Sequence, residues 1–177
     1  MHRYPDPGWV LRPDVLAGLA VVAERGLTFD FCAESLELLT NVPRLAERLP
    51  GLTVVLDHLG KPPIAGRGWQ PWADLLADAG EHENVVAKVS GLNTAAAPGR
   101  RRSRDYQPYV DHALSVFEPQ RLMYGGDWPF ALQAADSYEE IWSALRECLN
   151  GLSDGELNMV LGGTASSVYA LADRSAA

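Results

Sequence analysis

Residues 121–130 read RLMYGGDWPF, and this stretch indicates how the rest of the chain is organised. Residues 122–124 form a short apolar strand that runs into two glycines and ends on the carboxylate of Asp127. Glycine lets the backbone leave a strand at angles that other residues resist, and Pro129 prevents the strand from continuing. The pattern predicts a strand that delivers one charged group to the edge of a sheet. A solvated turn residue or helix cap is the alternative role for Asp127.

Three earlier segments repeat this arrangement of an apolar strand with a polar group at or near its end. They are residues 27–32 (LTFDFC) with Asp30, residues 52–56 (LTVVL) followed by Asp57 and His58, and residues 85–90 (VVAKVS) with Lys88 and Ser90. Apolar, β-prone runs bounded by glycine, proline or charge are typical of strands. In parallel α/β sheets the chemistry collects at the carboxyl ends of the strands. Four such polar ends in register therefore predict a functional site.

Helical periodicity fills the segments between the predicted strands, after an extended lead-in over residues 1–12. Pro13 suits the first position of a helix that Gly26 ends. Further helices are predicted from Asn41 to Leu49, around Trp69–Ala79, and over 106–117, 138–149 and 154–171, the last interrupted by two glycines. Strands that alternate with helices build parallel α/β architecture. We therefore expect one α/β domain.

Composition excludes several classes of protein. The chain has 177 residues, is 47% hydrophobic and carries a net charge of −8, which disfavours a nucleic-acid surface. Its apolar runs are too short to span a membrane, and its N-terminus lacks the apolar core of a signal peptide, so we expect a cytoplasmic protein. The two cysteines, Cys32 and Cys148, lack metal-ligand spacing and lie in apolar segments, which predicts buried free thiols.

Several polar residues have a structural alternative. His58 could be a satisfied core histidine, Asp57 could cap the following turn, and Lys88 could extend along the strand end to water. The only basic cluster is Arg100, Arg101, Arg102 and Arg104. It is either a solvated loop or a site for an anionic substrate, because arginine binds carboxylates through paired hydrogen bonds. His2, His82 and His112 are predicted to be surface residues.

Taken together, the segments LTFDF, VVLDHLGKP, VAKVSGL, RLMYGGDWP and VLGGTASSVYAL resemble the amidohydrolase-related family, which includes sugar-lactone and pyrone-dicarboxylate lactonases. The resemblance covers nearly the whole chain, and DHLGKP with G-x-DWP is its most specific part. It implies a (β/α)8 TIM barrel in which the four strands are the fifth to eighth. It also implies a hydrolase that opens a small-molecule lactone. In that reaction Asp127 would be the general base toward water, and His58 would help to bind and polarise the lactone carbonyl.

The sequence departs from the family in two ways. The family's first strand carries a His-x-His pair, which this sequence lacks, and a whole barrel needs about 250 residues. We therefore expect residues 1–177 to form a single incomplete barrel domain without the N-terminal strands. A metal-dependent decarboxylase of the same superfamily and an inactive truncated chain are alternative functions. Open barrel edges are expected to promote self-association.

The expected site consists of Asp127 and His58 as catalytic residues, with no metal ligand. The substrate-binding residues are expected to be Asp30, Lys61, Lys88, Ser90 and Trp128. No cofactor is expected, and a divalent metal such as zinc is expected only if the missing N-terminal strand is supplied, because zinc sites need three or four ligands. The expected partner is a small lactone or related carboxylate, with no nucleic acid and no membrane.

Overall fold

Four parallel strands form the sheet on which the other elements pack. In the computed structural model, which describes residues 6–171, the strands are β1 (Thr28–Phe31), β2 (Thr53–Leu56), β3 (Val85–Val89) and β4 (Leu122–Tyr124). They lie side by side in the order of the sequence, and every pairing is parallel. The predicted α/β architecture is confirmed. Within the described residues, β1 and β4 are the edges of this sheet.

The helices follow the predicted order, with additional short elements. Pro13 is the first residue of its helix, and the side chains of Ser137 and Ser153 cap two later helices by accepting a backbone N–H. The helices are α1 (Pro13–Glu24), α2 (Leu36–Leu39), α3 (Asn41–Arg48), α4 (Trp72–Gly80), α5 (Leu92–Ala95), α6 (Ser103–Phe117), α7 (Tyr138–Cys148), α8 (Asp154–Asn158) and α9 (Thr164–Val168).

Some sequence predictions need correction. The predicted extended lead-in contains a 3-10 turn at Trp9–Leu11, and its central residue, Val10, is fully buried. Residues 1–5 of the lead-in, which include His2, lie outside the described residues. The helix predicted over 154–171 consists of α8, a π-helical turn at Met159–Gly163 and α9. His112 is half-buried rather than a surface residue, because its Nε2 lies 2.9 Å from the carbonyl oxygen of Ala73.

The two faces of the sheet have different roles. Side chains such as Val54, Ala87 and Leu122 belong to the main core, which the helices cover. On the opposite face, Val55, Val86 and Met123 form a small second cluster that packs against Ala165, Val168 and Tyr169 near the end of the described chain. Because side chains alternate along a strand, this second face also carries polar residues two positions further along, Asp57 after Val55 and Lys88 after Val86. The fold thus directs the candidate site residues to one face and one edge.

Candidate active site

His58 and Asp127 come together at the carboxyl end of the sheet, although 69 positions separate them in the sequence. His58 follows β2 and Asp127 follows β4, and the two residues have positive φ angles of 56° and 50°. Such conformations are uncommon for residues with a side chain, and they cluster at functional sites. The backbone therefore aims both side chains out of the regular strand geometry and toward each other.

The two side chains form the centre of the site. His58 Nε2 lies 3.9 Å from Asp127 Oδ1, and each side chain is only 14% exposed. His58 Nδ1 lies 2.8 Å from the hydroxyl oxygen of Ser90, which is buried at the end of β3. Asp127 Oδ2 is buried and has no hydrogen-bond partner among the described residues. The site therefore contains an oriented imidazole and a carboxylate whose Oδ2 has no hydrogen-bond partner among the described residues.

Burial lowers the pKa of His58 below its ordinary value, and the positive charge of Lys61 lowers it further. The negative charges of Asp127 and Asp57 act in the opposite direction. A neutral imidazole has one nitrogen that donates and one that accepts. If His58 Nδ1 accepts a hydrogen bond from the Ser90 hydroxyl, then Nε2 carries the hydrogen, on the side of the ring where Asp127 Oδ1 lies 3.9 Å away.

The approach of His58 to Asp127 depends on Gly91. Gly91 follows β3 with φ +60°, and a Cβ placed on it would lie 2.7 Å from His58 Nδ1 and 2.9 Å from Asp127 Oδ2. A side chain at this position would occupy the space in which His58 and Asp127 meet. Gly91 is thus a residue of the site. The sequence motif VSGL includes this glycine, but the motif did not predict its role.

Lys88 connects the two carboxylates on neighbouring strands. Its Nζ lies 2.6 Å from Asp30 Oδ2 and 3.0 Å from Asp57 Oδ1. Burial alone would lower the pKa of Lys88, but the hydrogen bonds with Asp30, Tyr169 and Asp57 outweigh it, and the pKa lies above the ordinary value. Lys88 is therefore a charged group in an ion-pair network with Asp30 and Asp57.

Tyr169 completes this network from the far end of the chain. Its hydroxyl donates to Asp30 Oδ2 at 2.8 Å, and its ring lies 5.5 Å from Lys88 Nζ. This geometry combines a hydrogen bond with a cation–π contact. Sequence reasoning missed Tyr169, because its partners lie more than 80 positions away and no local pattern points to it.

The remaining predicted substrate-binding residues are Lys61 and Trp128. Lys61 adopts a left-handed conformation, and its Nζ lies 3.1 Å from the hydroxyl of Thr94. Trp128 is 70% exposed, so it is available as an apolar wall but does not close the site in this conformation. The structure brings Ser90 into contact with His58, and it brings Asp30 into contact with Lys88.

Three residues could hold a metal ion. One ligand atom from each of Cys32, Asp57 and His58 lies within 4.8 Å of the other two. Thiolate, carboxylate and imidazole are zinc ligands, and tetrahedral zinc with such ligands has donor–donor distances of about 3.3–3.8 Å. The donor set therefore fits zinc after a small rearrangement, with Lys88 competing for Asp57.

Cys32 and Cys148 are both free, as predicted, but Cys32 is half-buried rather than buried. Burial raises the pKa of the Cys32 thiol to about 11, so without a metal this thiol is protonated at neutral pH. Cys32 lies directly after β1, at the same end of the sheet as His58. The sequence spacing of cysteine and histidine did not reveal this grouping, because its members come from two strands.

A family model described as amidohydrolase matches residues 1–171 of the chain. The chain belongs to the amidohydrolase family. This confirms the resemblance of its motifs and assigns it to a family of hydrolases. Within residues 6–171, every helix is too short or too polar to cross a membrane.

Known relatives bear names of lactone-hydrolysing enzymes. An L-fucono-1,5-lactonase from Burkholderia multivorans is 36% identical over 168 residues, which are 89% of this chain and 56% of the relative. A 2-pyrone-4,6-dicarboxylate hydrolase from Comamonas testosteroni is 33% identical over 85 residues, covering 44% of this chain and 28% of that protein. This amidohydrolase chain therefore spans about half the length of the lactonase.

The fold agrees with a solved member of the family. The crystal structure of an amidohydrolase from Burkholderia multivorans with bound zinc superposes with a TM-score of 0.88 at 32% identity, covering 97% of this chain and 62% of that one. The four-stranded sheet is thus consistent with a part of the larger protein. The zinc in that structure is a property of that protein.

Proposed function

We propose that this amidohydrolase hydrolyses a lactone, with Asp127 as general base and His58 as hydrogen-bond donor to the reacting carbonyl. The observation that carries the proposal is the Asp127 carboxylate, whose side chain is 14% exposed and whose Oδ1 lies 3.9 Å from Nε2 of an imidazole that Ser90 orients. A general base must reach the proton that it removes. The lactonase names of relatives above 30% identity support this function over the decarboxylase alternative.

In the proposed reaction, Asp127 removes a proton from a water molecule while the water oxygen attacks the lactone carbonyl carbon. The carbonyl oxygen gains negative charge, and His58 Nε2–H donates a hydrogen bond to it. The ring C–O bond then breaks, and Asp127 returns its proton to the leaving alkoxide. The products are a hydroxy acid and the original enzyme.

The other predicted residues have supporting roles in this proposal. Ser90 is a positioning residue, because it holds His58 at Nδ1. Lys88 pairs with Asp30 and Asp57 and thereby keeps two negative charges from repelling an anionic product. Lys61 and Trp128 would contact the polar and apolar parts of a sugar lactone.

Cys32, Asp57 and His58 are the residues that would hold a zinc ion. When bound, zinc would supply Lewis acidity toward a carbonyl oxygen or a water molecule. Ser90 would support either role of His58, because a partner on one ring nitrogen fixes the direction of the other.

We further propose that the four strands are the fifth to eighth of a (β/α)8 barrel and that residues 1–177 form a single incomplete domain. Two observations support this: β1 and β4 are edge strands in the described sheet, and the chain covers only 62% of the zinc-containing relative. Exposed strand edges promote pairing with other chains. We therefore expect self-association of the isolated chain.

The test compares Asp127→Asn with Asp78→Asn, which removes the same charge at an exposed position on α4. Each chain is joined behind the part of the Burkholderia lactonase that would supply strands one to four, and hydrolysis of L-fucono-1,5-lactone is followed by acid release. We expect Asp127→Asn to lower turnover about 100-fold or more, the scale of general base catalysis, and Asp78→Asn to leave it unchanged. Equal turnover in both variants would contradict the role of Asp127.

The unfused chain is assayed in parallel for hydrolysis and for its size in solution. We expect little turnover and concentration-dependent association, because the proposed barrel is open at β1 and β4. A monodisperse monomer as active as the fused protein would disprove the incomplete barrel while leaving the role of Asp127 intact.

A further inference from the structure

A cavity that neither Asp127 nor His58 lines lies between the loop after β2 and the start of α6. Its volume is about 410 Å³, which is within the range of sites for small ligands. Three arginines line it: Arg67 from the loop, Arg100 from the segment before α6, and Arg104 in the first turn of α6. Cationic side chains from two separate segments thus converge on one space.

These arginines have no counterion in the described part of the chain. Arg67, Arg100 and Arg104 form no ion pair and no side-chain hydrogen bond there, whereas Arg12 pairs with Asp14. One carboxylate, Asp105, also lines the cavity, and it accepts a hydrogen bond from the backbone N–H of Arg102. Three guanidinium groups against one carboxylate give a positive cavity in a chain of net charge −8. Such a site favours an anion.

The rest of the cavity is apolar and aromatic. Ile64, Pro108, Trp69 and Tyr109 contribute to its wall. Trp69 packs against Tyr109 with ring centroids 5.9 Å apart and remains 40% exposed. The hydroxyl of Tyr109 donates to the carbonyl oxygen of Gly68 at 2.9 Å, which joins α6 to the loop. A partly exposed indole held by a packed neighbour is a surface on which a flat ring can stack.

We propose that this cavity binds a small organic anion in which a carboxylate is attached to a planar ring. The carboxylate contacts Arg100 and Arg104, with Arg67 on the opposite side, and the ring stacks on Trp69. None of the residues proposed for lactone hydrolysis lines this cavity. The site is therefore independent of the proposed lactonase function.

Benzoate is the probe, and benzamide is its uncharged counterpart of the same shape. The full chain is titrated with each while the indole N–H signals of its tryptophans are recorded by NMR, with Trp69 assigned from Trp69→Phe. We expect benzoate to shift the Trp69 signal saturably and benzamide to bind at least about tenfold more weakly, because only benzoate can pair with the guanidinium groups. Equal binding of the two, or no saturable shift at Trp69, would overturn the proposal.

The double variant Arg100→Gln/Arg104→Gln is expected to raise the dissociation constant for benzoate about tenfold or more. Arg67→Gln lies in a different segment, so it tests the same cavity without altering α6, and we expect it to weaken binding as well. Arg48→Gln removes one exposed positive charge at the end of α3 and is the matched control, with affinity unchanged.

Unchanged affinity in both cavity variants would refute the proposal, as would an equal loss in Arg48→Gln, which would indicate a nonspecific charge effect. Asp127→Asn distinguishes the cavity from the candidate active site. Undiminished benzoate binding in that variant supports an independent site, and loss of binding would assign benzoate to the active site instead.

Discussion

Replacing Gly91 with alanine is expected to separate His58 from Asp127 without removing either group. The added Cβ would lie 2.7 Å from His58 Nδ1, about 0.7 Å inside ordinary van der Waals contact. Gly91 also has a φ of +60°, and a left-handed conformation costs a residue with a Cβ roughly 1–2 kcal/mol. The substitution therefore combines a backbone cost with a displacement of His58 and Asp127.

Gly26→Ala is the matched control for the backbone cost. Gly26 has nearly the same φ, +65°, but a Cβ there would have nothing within 4 Å. Urea denaturation should show a loss of about 1–2 kcal/mol in the free energy of unfolding for Gly26→Ala, and a larger loss for Gly91→Ala. Turnover of the barrel-completed protein should fall about 100-fold in Gly91→Ala alone, because a displacement near 1 Å has an effect of this order.

The side-chain nitrogen signals of His58 provide a readout that does not depend on activity. We expect their chemical shifts to change in Gly91→Ala, because the contact of His58 Nδ1 with Ser90 must change. In Gly26→Ala we expect the chemical shifts to stay the same. The reasoning would be refuted if the two variants lost the same stability and both kept the His58 signals and the turnover of the wild type.

Two further predictions concern stability. Asn84 Nδ2 lies 2.9–3.3 Å from the carbonyl oxygens of Ala46, Leu49 and Leu52. Asn84→Ala leaves these polar groups unpaired, so urea denaturation should show a free energy of unfolding lower by about 1–3 kcal/mol. No measurable loss would show that water replaces these bonds. Tyr169→Phe removes the hydrogen bond to Asp30, and we expect a loss of about 0.5–1.5 kcal/mol, with unchanged stability as the contrary result.

The four strands were predictable because their sequence signal is local. The β-branched run of residues 52–56 suits a parallel strand that is covered on both faces. Residues 85–90 are mostly apolar, with Lys88 and Ser90 as the polar members, and Gly91 ends the run. Strand bounds differed from the prediction by one residue at each end of β1, at the start of β2 and at the end of β3. The short helix α2 and the π-helical turn at Met159–Gly163 were missed, since neither is long enough to show a periodic pattern.

Part of the candidate site could also be predicted, because the carboxyl ends of parallel strands meet at one edge. This rule places His58, Ser90 and Asp127 at the same edge, whereas their close approach depends on the absence of a side chain at Gly91. Their roles as catalytic and positioning groups remain predictions that the variants above would test.

Other features depend on tertiary structure alone. Lys88 contacts Asp30, which is 58 positions away, and Tyr169 reaches the same carboxylate across 139 positions. Two other features form only when distant segments of the chain pack together. They are the grouping of Cys32 with Asp57 and His58, and the cavity between Arg67 and Arg100. Sequence periodicity reports which side of an element is buried, whereas the packing of distant elements decides which charges become neighbours.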